Sequence, residues 1–182
     1  MGSSVFVNSL YLISYTIPAW VLVGLAWGGP FWLLAPANIA LIHPLFDTLF
    51  QRSVWGPRLS ELKNRHAGRS RLAEGALLLY PFVQAGVMGL LLLKSLELPV
   101  RGFDFWAMSL AFGSMSGALG LSAAHELIHR RSAWKRALGI GLLGMSSYPH
   151  FYTEHLYGHH RFVATPKDAD TARVGETFYR FL

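Results

Sequence analysis

Two stretches of the chain concentrate imidazole in patterns that can hold a metal ion. Residues 124–131 read AHELIHRR and residues 154–165 read EHLYGHHRFVAT. On a helix His125 and His129 are about 40° apart around the axis, so both rings project from one face and can share an ion. The second stretch has the spacing H-x-x-x-H-H. As a helix it puts His155 and His159 on one face, with His160 about 140° from His155 and in reach of a neighbouring ligand position.

HELIH also fits a zinc hydrolase, with Glu126 as base. The number of histidines separates the two readings. Of the eight in the chain, six fall between 125 and 160 and five of those belong to the two patterned clusters, whereas a catalytic zinc takes three protein ligands and a water. Two ions, or a site shared with ligands outside these residues, fit that surplus better, and nitrogen ligands suit iron as well as zinc. His43 and His66 read as hydrogen-bonded structural side chains. His150 stands between a headgroup anchor and a support for the ligand rings.

The elements that position these residues follow from charge and hydropathy. The chain of 182 residues is 52% hydrophobic and 14% charged. No Asp, Glu, Lys or Arg occurs in 1–46, between Glu74 and Lys94, or in 105–125. Each run is long enough to cross roughly 30 Å of hydrocarbon. Gly28-Gly29-Pro30 divides the first run into a helical hairpin. The pattern therefore predicts an all-α, polytopic membrane bundle forming a single domain over 1–182, with spans at about 9–28, 31–50, 75–94 and 105–124.

Lys and Arg set the expected orientation. Residues 52–71 carry six and residues 130–182 carry eight, against two in the link between the third and fourth spans. Both basic segments, including the histidine region 125–182, are expected on the cytoplasmic side. The net charge of +6 then serves topology and contact with anionic membrane lipids, and a nucleic-acid partner is not expected. The stretch 137–153 is apolar but short and is flanked by basic residues at both ends. An interfacial or re-entrant helix there returns the second histidine box to the end of the fourth span, where His125 and His129 emerge. No cysteine is present, which excludes thiolate zinc sites and iron–sulfur clusters.

HELIHR and EHLYGHHRFVATPKDADTARVGE resemble the first and second histidine boxes, HExxHK and EHxxGHHxxVATPEDPxxARxGE, of the alkane monooxygenase family. These are integral-membrane di-iron hydroxylases more distantly related to membrane fatty-acid desaturases and xylene monooxygenases. HPLFD at 43–47 resembles part of the family's second span. Arg130 stands in place of the usual Lys, and Lys167, Ala169 and Asp170 depart from the pattern around Asp168. The family's third histidine box and a later histidine-bearing stretch have no counterpart in these residues, so the resemblance identifies the amino-terminal part of a larger domain.

The resemblance implies iron ligation by His125, His129, His155, His159 and His160, with Glu126, Glu154, Asp168 and His150 as candidates to orient those rings. It implies two iron ions with O₂ as co-substrate, and terminal hydroxylation of a medium-chain alkane drawn from the bilayer of a bacterial inner membrane. Electrons would come from a rubredoxin-type donor with its reductase, and Arg130, Arg131, Lys135 and Arg136 offer such a carrier a basic surface. Gly113, Ser116, Gly117 and Gly120 could open a substrate slot toward His125, or equally serve close helix packing, since Gly113 and Gly117 form a GxxxG pair. Two other readings stand beside this one: an intramembrane zinc metallopeptidase using HELIH, and an inactive membrane fragment.

Overall fold

The computed structural model describes residues 10–45, 48, 71–100 and 102–181. The basic segment 52–70, His66, Arg101, the start expected for the first span and the end expected for the second lie outside the described residues.

Helix α1 (10–27) enters through a 3₁₀ turn, Leu10–Tyr15, and continues as the α-helix Thr16–Trp27. Pro18 sits in its first α-turn, where backbone donors have no intrahelical partner to lose. The chain then reverses at Gly28 and Gly29, both with positive φ (66° and 54°), a conformation that glycine adopts without steric cost. Helix α2 (29–45) runs back along α1 as a 3₁₀ turn, a short α segment and a π turn. Prolines at 30, 36 and 44 each remove a donor from it, and the ladder is correspondingly irregular. The expected break at Gly28-Gly29-Pro30 is therefore the observed one. A methyl group at Gly24 would lie 2.5 Å from the Trp32 ring, so the indole fills the groove between the two arms.

Helices α3 (Arg71–Ser95) and α4 (Phe103–Ile128) are the two described helices long and apolar enough to cross a membrane; the apolar part of α1, Leu12–Trp27, is shorter. They contain the segments expected for the third and fourth spans. Leu79, Phe82, Leu90, Leu92 and Leu93 of α3 are exposed, an arrangement suited to a hydrocarbon surrounding and unfavourable in water. Asp104, in the first turn of α4, accepts hydrogen bonds from the Gly29 amide and from Trp32 Nε1 (2.9 Å for the latter). The hairpin turn and the start of α4 are thereby joined at one end of the bundle. His125 is twenty-one residues further along α4, about 31 Å at 1.5 Å per residue, at the other end.

Past that end the chain turns at 129–132 and helix α5 (Ala133–Met145) runs back along α4. Ser146 reaches the level of Ser116, with Oγ to Oγ 2.6 Å. Ser147 takes a positive φ of 56°, Pro149 follows, and helix α6 (151–162) brings the chain back to His125. The doubling back is the one expected, but the second histidine box is carried by α6 and not by the returning helix, because the turn at 146–150 separates them. A loop and the short helix α7 (Phe178–Phe181) complete the described chain.

Two buried clusters result. Ile17, Val21, Trp32, Ala35, Val87 and Met115 belong to the one between α1, α2, α3 and α4. Tyr80, Ala124, Leu127, Ile128, Leu142 and Leu143 belong to the one beneath the histidines. Gly139 lets α5 approach α4 in the second cluster: a methyl group there would lie 2.9 Å from Ile128 Cγ2 and 3.0 Å from the Ala124 carbonyl oxygen and from the Ile128 amide nitrogen.

Gly139→Ala is expected to destabilise the protein. The gain in helix propensity is at most about 1 kcal/mol, whereas overlap with a neighbouring backbone costs about 1–3 kcal/mol. Gly141→Ala, where the added methyl meets nothing within 4 Å, is expected to be neutral or stabilising. Thermal unfolding of both variants in the same detergent checks the difference in sign.

Candidate metal centre

Four imidazoles from two elements meet above the second cluster. His125 and His129 stand at the end of α4, and His155 and His160 on α6. His155 is the hub: its Nε2 lies 2.8 Å from that of His125, 3.2 Å from that of His129 and 3.0 Å from that of His160. His125 and His129 Nε2 are 3.3 Å apart. His155 is 9% exposed, whereas His125, His129 and His160 are exposed.

Hydrogen bonding alone does not satisfy this arrangement. A neutral imidazole Nε2 either carries a proton or presents a lone pair. Three such atoms in mutual contact cannot all alternate as donor and acceptor, so at least one of the pairs among His125, His129 and His155 is repulsive. A cation accepting three lone pairs removes the conflict. Nitrogens bound to one ion at 2.0–2.1 Å with tetrahedral angles are roughly 3.3–3.4 Å apart, close to the separations found. The donor set thus fits a metal ion.

His159 stands apart from the four. Residues Glu154–His159 form a π-helix, whose i→i+5 hydrogen bonding aligns residues five apart where an α-helix aligns residues four apart. His160 consequently joins His155, while the His159 ring is stacked 5.5 Å from that of His155. The α-helical phase expected from H-x-x-x-H-H pairs 155 with 159, so the π turn exchanges the roles of 159 and 160. His159 Nδ1 instead lies 2.9 Å from Asp168 Oδ2, which leaves its Nε2 for another partner. Asp168 is itself held by the Thr171 hydroxyl and by the Asp170 amide at 3.1 Å. His159, Asp168 and Asp170 form a second group able to hold a cation.

The other candidates for orienting rings do different work. Glu126 is exposed and pairs with Arg130 at 2.7 Å. Glu154 is exposed and bonds no imidazole among the described residues. His150 packs edge-on to Tyr148, with centroids 4.4 Å apart. The ring that supports the cluster is Phe151, whose role the histidine spacing did not reveal. It stacks on His155 (centroids 4.7 Å, planes 19° apart) and lies 6.3 Å from the His125 ring. Its position four residues before His155 is the signal that could have found it.

Arg130 and Lys135 do not form the free basic surface expected of them. Both pair with Glu74 at the start of α3, Arg130 at 3.2 Å. Arg136 Nη1 donates to the carbonyls of Arg130 and Arg131, at 3.2 and 2.6 Å, and so closes the end of α4. Arg131 is exposed.

A groove of about 410 Å³ runs beside α4, lined by residues that include Gly113, Ser116, Gly117 and Leu121. Leu121 and Tyr148 also line a cavity of about 330 Å³ that reaches His125 and Phe151. A methyl group at Gly113 or Gly117 would meet nothing within 4 Å, so this GxxxG pair packs no helix among the described residues. Gly120 has the opposite surroundings: a methyl there would lie 2.4 Å from Gln84 Oε1. It serves packing and lies outside the groove.

Burial lowers the pKa of His155 to about 4, and the neighbouring His125, His160, His129 and His159 add to the shift. His129 is lowered by burial, His125 and His160, against an opposing effect of Glu126. The hydrogen bond from Thr171 lowers Asp168, with smaller contributions from the Asp170 amide and His159, while burial opposes them. His155 and His129 are therefore held as neutral rings with lone pairs available, and Asp168 as an anion.

Residues 103–182 match the fatty acid desaturase family. Alkane 1-monooxygenase 1 of Pseudomonas aeruginosa is 47% identical over 77 residues, 42% of this chain and 20% of the relative. Alkane 1-monooxygenase 1 of Alcanivorax borkumensis is 42% identical over 83 residues, 46% of this chain and 20% of the relative. The alkane 1-monooxygenase of Acinetobacter baylyi is 29% identical over 153 residues, 83% of this chain and 36% of the relative. The chain thus spans between a fifth and about a third of the length of these relatives.

The metal-free protein is expected to lose stability as pH falls from about 6.5 to about 4. In that window the unfolded His155 binds a proton that the folded ring refuses, so stability rises with pH. Chemical denaturation across this range gives the slope, and His155→Asn is expected to flatten it.

Proposed function

We propose, from the match of residues 103–182 to the fatty acid desaturase family and the similarity to alkane 1-monooxygenases, that this chain is the metal-binding and substrate-admitting part of a membrane oxygenase. This enzyme hydroxylates medium-chain alkanes at the terminal carbon. The observation that carries the reading is the convergence of four Nε2 atoms from two separate signature segments next to a groove that continues along α4. His125, His129, His155 and His160 would hold iron directly, and His159 would contribute Nε2 from a ring held by Asp168, to a total of two irons. Bound iron supplies the O₂ chemistry and the electron acceptance that side chains lack.

The remaining work belongs to the chain's own residues. Phe151 fixes the plane of the His155 ring. Asp168 holds the Nδ1 proton of His159, the second partner that metal-bound histidines require. Gly113, Ser116 and Gly117 leave room for an alkyl chain to enter from the bilayer, and Leu121 and Tyr148 lead it to His125. The apolar lining excludes water from the reacting carbon.

On this reading the histidines face the cytoplasm at the inner membrane, where the basic residues after α4 favour anionic headgroups. Electrons arrive from a rubredoxin-type carrier and its reductase, and exposed Arg131 is a contact open to an acidic carrier. Glu126 is paired with Arg130, and the clustered histidines exceed the three ligands of a catalytic zinc, which weighs against a peptidase.

The full-length gene product, purified in detergent, is expected to carry two irons without stoichiometric zinc and to convert octane to octan-1-ol when given O₂ and a reduced carrier. His155→Asn is expected to abolish both properties. Asp168→Ala is expected to lower iron affinity about 10–100-fold, read by chelator competition. One zinc and no oxygenase activity would overturn the proposal.

A further inference from the structure

The groove beside α4 is lined with apolar groups for most of its length, but Ser116 and Ser146 form part of its wall. Ser116 is nine residues before His125 on the same helix, about 13 Å away at 1.5 Å per residue. Behind it lies Gln84, fully buried, with Nε2 3.3 Å from Ser116 Oγ. Ser116 Oγ is 2.6 Å from Ser146 Oγ, and Ser146 Oγ is 3.2 Å from the Leu142 carbonyl oxygen.

With the Gln84 amide nitrogen turned toward Ser116 and its Oε1 buried without a partner among the described residues, the two ends of this series set its direction. An amide NH₂ can only donate and a carbonyl can only accept. Protons therefore run from Gln84 to Ser116, from Ser116 to Ser146, and from Ser146 to Leu142. Ser146 has then given its single proton and accepted one, and its second lone pair has no partner among the described residues. An oxygen in that state accepts a hydrogen bond from a ligand and cannot donate one.

Resting on the oxygenase reading above, we infer that Ser146 is an acceptor subsite for the hydroxyl group of a medium-chain primary alcohol, whose far methyl group is then presented at the histidine cluster. Three single bonds in trans span about 3.8 Å, so about 13 Å corresponds to about ten bonds, a chain of about ten carbons with its oxygen. The reaction this adds is conversion of the alcohol to an α,ω-diol. One atom of O₂ enters the terminal C–H bond as C–O–H. The other leaves as water, with two protons and with two electrons from the same reduced carrier that serves the alkane. A fatty carboxylate has no proton to give at neutral pH and is not held at this subsite.

The test uses the full-length protein in membranes with reduced carrier, comparing decan-1-ol, decane and decanoate. Decane-1,10-diol is expected from decan-1-ol. In Ser146→Ala the ratio of kcat/KM for decan-1-ol to that for decane should fall about tenfold, the size of one hydrogen bond, and Ser146→Thr should restore it. A ratio unchanged in Ser146→Ala overturns the subsite. A second measurement needs neither turnover nor a variant. A decan-1-ol bearing a diazirine in mid-chain should label Leu121 or Tyr148 in the wild-type protein, and the labelling should be competed by decan-1-ol and not by decanoate. Equal competition by both overturns the subsite. Hydroxyl-dependent labelling without oxidation of decane or decan-1-ol would sink the oxygenase reading and leave the subsite standing.

Discussion

Gly139 lies on α5 where a methyl group would come within 2.9–3.0 Å of Ile128 and the Ala124 carbonyl, and the positions of the imidazoles follow from that contact. With α5 seated this close against α4, the turn at 146–150 begins at the level of Ser116, and α6 returns to the level of His125. A wider separation would carry α6 outward and move His155 away from His125 and His129. Leu127, Ile128, Leu142 and Leu143, all almost fully buried, supply the apolar contact that holds the two helices together.

Polar groups inside this apolar bundle each join elements distant in sequence. Asp104 joins the start of α4 to the turn between α1 and α2. Glu74 joins the start of α3 to Arg130 in the turn after α4 and to Lys135 just beyond it. Gln84 joins the middle of α3 to Ser116, inside the π turn Ser116–Gly120. Unpaired, such groups would be costly in a low-dielectric surrounding. Paired, they align the helices along their axes, which contact between smooth apolar faces does weakly. Asp104 acts at one end of α4 and Glu74 at the other.

The π turns at 116–120 and 154–159 have related consequences. Each changes the angular phase of the helix that follows it. In α6 the change places His160 beside His155 and turns His159 toward Asp168. In α4 it lies between the half packed on α1 and α2 and the half that carries HELIH, so the two halves present differently phased faces to their neighbours. The turn at 154–159 carries histidines of the candidate site and the turn at 116–120 borders its groove, as such turns often do.

Much of the architecture was legible in the residues themselves. Charge-free runs marked α3 and α4, the glycine pair before Pro30 marked the hairpin, and the flanking basic residues around 137–153 marked a segment that doubles back. These features are local: they depend on hydropathy, on backbone permissiveness and on charge, all carried by the residues concerned. The two histidine patterns were legible for the same reason, as types and spacings that metal chemistry uses, whereas Asp168 was a candidate only through the resemblance of its segment to a histidine box. Tertiary structure decided the rest. Which of His159 and His160 meets His155 depends on a π turn, and H-x-x-x-H-H is compatible with either phase. That Glu126 serves Arg130, that Glu74 takes up Arg130 and Lys135, and that Phe151 supports the His155 ring depend on which helices become neighbours. So does the division of the small residues of α4 into groove-lining Gly113 and Gly117 and tightly packed Gly120, because a glycine records only that space is left and not what lies on the other side of it.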